Sequence, residues 1–162
     1  MARESFKVHV TKDYLKFSAA HFIAYPGFRE KLHGHNYRVS VEVQGRLGAN
    51  GYVIDFAVVK NIARRLCERL NERTLVPLQS DCLTISEDGP HVVVGYERDE
   101  FRIPRTDVVL LPIVHTSAEE LARYLAGELR RELQAEGIAG LEAIEIGVEE
   151  TTGQTASYRE EG

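Results

Sequence analysis

Three histidines in this sequence stand where their side chains can meet. His33, Gly34 and His35 run into an alternating stretch in which Tyr37, Val39, Val41 and Val43 share one face and Arg38, Ser40, Glu42 and Gln44 the other. Residues two apart on a strand point the same way, so both imidazoles fall on the apolar face and can converge. His21 closes the row formed by Phe17 and Ala19 in the preceding stretch. Three neutral imidazoles that leave a fourth position open make a catalytic zinc site, whereas structural zinc sites are closed by four ligands. Gly34 lets the backbone come close to a metal or substrate. The competing reading is a set of hydrogen-bonded core histidines. His9, on the outward face with Lys7 and Thr11, and His91, beside a turn, read as surface.

A carboxylate joins them. Ile144, Ile146 and Val148 alternate inward near the C-terminus, and Glu150 continues that row while Glu149 points out. An ionised group at the end of an apolar row is costly unless it meets donors. It can accept two parallel hydrogen bonds, as the adjacent N–H and NH₂ of an amino-pyrimidinone edge would offer. An arginine partner or a solvated strand end satisfies it equally.

The elements that position these groups follow from periodicity. Phe6, Val8 and Val10 predict a first strand that continues through Phe17, Ala19, His21 and Ile23 after a turn near Asp13. A last strand is expected over 154–159. Asp55 predicts the cap of a helix whose Phe56, Val59, Ala63, Leu66 and Leu70 recur at helical spacing. Ser117-Ala118-Glu119-Glu120 reads as a capping box opening a second helix with Leu121, Leu125, Leu129 and Leu133 on one stripe. The long connection 74–114 holds Cys82-Leu83-Thr84-Ile85, Asp88-Gly89-Pro90 and Val92-Val93-Val94, which predict an inserted β-hairpin, with Phe101 to Ile103 adding a possible third strand. The order implies an α+β fold: a mainly antiparallel sheet, two helices, and an insert of about 76–113.

Composition bounds the rest. A chain of 162 residues suits one domain, expected here over 1–162. A net charge of −5 argues against a nucleic-acid partner, and no apolar run approaches the ~20 residues of a membrane span. Charges within residues 1–20 speak against a signal peptide, and two cysteines, Cys67 and Cys82, point to a reducing cytoplasm.

Taken together, Phe17-Ser18-Ala19-Ala20-His21, Leu32-His33-Gly34-His35-Asn36-Tyr37, Gly51-Tyr52-Val53-Ile54-Asp55-Phe56 and Val148-Glu149-Glu150-Thr151 resemble the 6-pyruvoyl-tetrahydropterin synthase / 6-carboxytetrahydropterin synthase family. The resemblance implies a tunnelling fold (T-fold) with both helices on one face of the sheet, and subunits assembled as homohexamers, dimers of trimers. It implies Zn²⁺ on His21, His33 and His35, pterin held by Glu150, and further pterin contacts at Thr116 and Ser117. The substrate it implies is 7,8-dihydroneopterin triphosphate, whose side-chain hydroxyls zinc acidifies.

The sequence also departs from the family. Arg29 stands where many members carry a catalytic cysteine, and Glu30 follows it, giving Glu30-Lys31-Leu32-His33-Gly34-His35. This pattern resembles the glutamate-type (type III) members, which cleave the side chain to 6-hydroxymethyl-dihydropterin. A carboxylate suits that reaction, because retro-aldol cleavage needs a base for a side-chain hydroxyl. A solvated loop carboxylate is the alternative for Glu30. Asn71 and Glu72 replace the family's Asp-His pair, and His115 is the candidate replacement acid. Arg29 and Lys31 are the expected contacts for the triphosphate. The resulting expectation is a carbon–carbon or carbon–oxygen lyase, with pyruvoyl or carboxy product formation, or pterin binding with little turnover, as alternatives.

Overall fold

A computed structural model describes residues 4–162. In chain order the elements are β1 (Phe6–His21), β2 (Ala24–Tyr25), β3 (Phe28–Arg29), β4 (His33–Gly45), α1 (Phe56–Leu70), β5 (Arg73–Pro77), β6 (Thr84–Asp88), β7 (His91–Tyr96), β8 (Asp99–Pro104), a 3-10 turn (Arg105–Asp107), β9 (Val108–Leu111), α2 (Ala118–Ala135), β10 (Ala143–Thr151) and β11 (Gln154–Glu161). Six strands form the main sheet in the order β11-β10-β4-β1-β5-β9. The inward residues of its central strands, Phe17, Tyr37, Val41 and Ile146 among them, pack against Ile62 and Leu66 of α1 and Leu121, Leu125 and Leu129 of α2. Burial of these apolar side chains is the main force holding helices to sheet.

Both helix starts fall where the sequence puts them. Asp55 caps α1, its Oδ1 accepting from Ala57 N–H at 2.7 Å, and Ser117 caps α2, its Oγ accepting from Glu120 N–H at 3.3 Å. The expected capping box is altered. Glu120 Oε2 reaches past the cap to accept from Val114 N–H at 2.9 Å and His115 N–H at 3.4 Å, which ties down the segment leading into α2.

Four expectations are corrected. No turn interrupts the first strand near Asp13: β1 is continuous, with a bulge between Thr11 and Lys16, because β4 pairs with it on both sides of the irregularity. Phe6, expected inward, is exposed at the start of β1. The insert is shorter than 76–113, since β5 and β9 belong to the main sheet, paired in parallel beside β1. Their apolar runs bury Leu75, Val76, Val108 and Leu111, which gives them a place in the core instead of in a surface excursion. What projects is a three-stranded antiparallel sheet, β6-β7-β8. It has its own apolar cluster, in which Val92, Val94 and Tyr96 pack with Phe22, Ala24 and Val108. His91, expected at the surface, is half-buried at the start of β7.

Candidate active site

The antiparallel ladder of β1 and β4 brings the three histidines together. His21 and His33 are direct Cα partners, and Ala19 faces His35 one inward pair further on. Their ligand nitrogens all lie within 4.8 Å of one another. Gly34 suits the close approach of the two strands: a Cβ there would sit 3.1 Å from the Ala19 carbonyl oxygen of the neighbouring strand, a tight contact. Tyr37, stacked on Phe17 at 4.7 Å, stands edge-on to His21 and His35, its ring centre 6.0 and 5.5 Å from theirs.

The hydrogen bonds fix which nitrogens are free. His21 is buried at 2% exposure, with Nδ1 2.9 Å from the Thr116 carbonyl oxygen and 3.2 Å from its Oγ1. A carbonyl only accepts, so Nδ1 carries the proton and Nε2 keeps a lone pair. His33 is set in the same way, Nδ1 donating to the Lys31 carbonyl at 2.7 Å. Nε2 of His21 is buried without a hydrogen-bond partner among the described residues. Burial, with a smaller contribution from the neighbouring His33 and His35, holds the His21 imidazole below its ordinary pKa, against the opposing Thr116 hydrogen bond and Glu150 charge. A neutral imidazole with an orphaned lone pair beside two more imidazoles is a donor set that fits a zinc ion.

Glu150 on β10 sits at an irregularity in the pairing with β11, between Glu149 and Thr151, and its Oε1 lies 3.4 Å from Nε2 of both His21 and His35. The Tyr37 hydroxyl is buried against Glu150. Burial first, then the Glu150 charge, pushes the Tyr37 pKa far up, so the phenol stays protonated.

These groups open on a cavity of about 480 Å³ whose wall includes Glu30, His33, His35, Ser117 and Glu150, with Thr155 of β11. Glu30 reaches it from the loop after β3. Its backbone N–H donates to the Ile23 carbonyl at 2.9 Å, and its Oε2 accepts from Ile23 N–H at 2.8 Å. The structure therefore brings together six of the residues singled out in the sequence: His21, His33, His35, Glu30, Ser117 and Glu150.

The others are placed differently. Thr116 is fully buried behind His21, its Oγ1 also 3.4 Å from the Phe22 carbonyl. His115 is half-buried and outside the cavity wall. Lys31 is exposed and gives its carbonyl to His33. Arg29 turns away to Asp99 of β8, with Nη2 at 2.6 Å and Nε at 3.1 Å from Oδ2. Asn71 ends α1 and accepts from Ser18 N–H at 2.9 Å, while Glu72, at φ 55°, lines a second cavity that shares only His35 with the first. The supporting role of Thr116 was hidden from the sequence because 95 positions separate it from His21.

Residues 9–161 match the family model of 6-pyruvoyl tetrahydropterin synthase. The chain belongs to that family. Its α+β tunnelling fold is the one expected from the motifs. Among solved structures, a Plasmodium vivax 6-pyruvoyltetrahydropterin synthase is 34% identical, covering 98% of this chain and 99% of that one at a TM-score of 0.93. A second form of the Plasmodium vivax enzyme, with a catalytic glutamate replaced by alanine, superimposes equally well at a TM-score of 0.93. A Methanocaldococcus jannaschii relative, provisionally named a 6-carboxy-5,6,7,8-tetrahydropterin synthase, is 35% identical over 146 residues, 90% of each chain.

Proposed function

We propose that this family member is a zinc-dependent lyase that cleaves the C6 side chain of 7,8-dihydroneopterin triphosphate to 6-hydroxymethyl-7,8-dihydropterin. The observation that carries the reading is Glu30 on the same cavity wall as the three histidines and Glu150. The catalytic glutamate of the Plasmodium vivax relative supports a carboxylate in this role.

His21, His33 and His35 would hold the ion, which when bound supplies the Lewis acidity that lowers the pKa of a substrate hydroxyl. Glu150 accepts hydrogen bonds from the N–H donors of the pterin edge and so orients the side chain toward Glu30. Glu30 has Oε2 engaged by Ile23 N–H, which leaves Oε1 to take the proton of the hydroxyl on the second side-chain carbon. The bond between the first and second carbons breaks, the second becomes a carbonyl, and the electron pair moves into the conjugated ring. Protonated Glu30 then returns its proton to the first carbon, leaving a hydroxymethyl group. No oxidant is consumed. His115, outside the cavity wall, has no step in this cycle.

The provisional name of the archaeal relative favours a second reading, formation of a 6-carboxy product. Mass analysis of the product from zinc-loaded protein and dihydroneopterin triphosphate separates the two. Glu30→Gln is expected to lower kcat by about 10²-fold or more with zinc content unchanged, the scale of a lost general base. Unchanged turnover in that variant would overturn the assignment of the base.

A further inference from the structure

Arg29 sits between the insert and Glu30. Its guanidinium carbon lies 5.1 Å from the centre of the Phe101 ring of β8 and 5.7 Å from that of Phe22. Two of its donors converge on Asp99 Oδ2, at 2.6 and 3.1 Å, and a third, Nη1, donates to the Glu30 carbonyl at 2.8 Å. Phe22 stacks on Phe101 at 4.9 Å, and the next residue, Ile23, is the one whose N–H grips the Glu30 carboxylate. Tyr96 of β7 adds a bond from its hydroxyl to the Tyr25 carbonyl at 3.1 Å, on the hairpin that leads to Arg29. The insert thus holds the Glu30 backbone through Arg29 and the Glu30 carboxylate's donor through Phe22.

We infer that the three-stranded insert is the positioning element for the catalytic carboxylate, and that Asp99 and Phe101, acting through Arg29 and Phe22, set where Glu30 points. The inference rests on the reading of Glu30 as the base. An exposed ion pair contributes little by itself, and Asp99 is 55% exposed. Here the arginine is only 20% exposed, flanked by two rings, and shared with the backbone of the residue it places. Small displacements of a reacting group are expensive, because near-attack geometry tolerates little misplacement.

The test uses Asp99→Asn and Arg29→Lys in the full chain, with Arg102→Gln, which breaks the Arg102–Asp88 pair elsewhere in the insert, as the control. Asp99→Asn is expected to lower kcat about tenfold with KM and zinc content held, to leave Tm nearly unchanged, and to add nothing on a Glu30→Gln background. Amide exchange of Ile23 and Glu30 should accelerate about tenfold, while the β1–β4 ladder and the control variant stay at the native rate. Unchanged exchange at Ile23 overturns the inference whatever the activity. Loss of turnover in Glu30→Gln with full kcat in Asp99→Asn overturns it and leaves the base assignment standing. Full turnover in Glu30→Gln removes the base instead.

Discussion

His21 shows how one side chain answers to three parts of the molecule. β1 supplies it, β4 faces it, and Thr116, ahead of α2, fixes its tautomer. Partners of this kind orient a metal-binding imidazole, and their loss typically weakens affinity 10–100-fold. Thr116→Val, which keeps the carbonyl bond and removes the hydroxyl, should weaken zinc binding by about tenfold in a competition titration with a chelator. The lowered pKa of His21 also has a sign. The unfolded chain takes up a proton near 6.5, and the folded protein resists it. This group's contribution to stability is therefore complete above pH 6.5 and declines as pH falls toward the lowered folded value. Melting of chelator-treated protein between pH 7.5 and 5 should reveal a decrease in Tm that begins near 6.5. Thiol chemistry offers a separate check. The Cys67 thiol is pushed up to about 12 by burial, with a smaller push from Glu68, and neither Cys67 nor Cys82 lies on the cavity wall. Turnover should survive treatment with iodoacetamide.

At the scale of elements, the histidine cluster depends on two strands being close and in register. Gly34→Ala would place a methyl group 3.1 Å from the Ala19 carbonyl oxygen, so the β1 backbone must give by a few tenths of an ångström. A cost of about 1–3 kcal/mol is expected, read as a lower denaturation midpoint together with weaker zinc binding. Asp55→Ala, which removes the α1 cap far from the cavity, should cost about 1 kcal/mol and leave zinc affinity alone. The histidines and Glu150 could be found from alternation because a strand reports the facing of each residue through its neighbours. β5 and β9 could not. Their runs are short, and nothing in Leu75-Val76 or Val108-Val109 distinguishes a parallel partner of β1 from a strand of the insert. The Arg29–Asp99 pair was equally out of reach: an arginine beside a candidate base reads as a phosphate contact until the fold puts a carboxylate 70 positions away against it.

For the whole molecule, the main sheet ends in β11 on one side and β9 on the other, and neither has an outer partner among the described residues. Unpaired strand edges invite pairing with another chain. The homohexamer that the family resemblance implies predicts a light-scattering mass about six times the 18.2 kDa of one chain at micromolar concentration, and a monomer would contradict it. Among the described residues, no helix is long and apolar enough to cross a membrane. The register that pairs His21 with His33 also bears on the order of folding. Closing a loop of a dozen residues costs about 2 kcal/mol less chain entropy than bringing Thr116 across 95 positions, so the three histidines can meet before α2 docks behind them. Zinc would then act on the transition state as well as on the finished protein. Refolding should accelerate when zinc is supplied from the start, and a metal that only slowed unfolding would place the meeting of these histidines late.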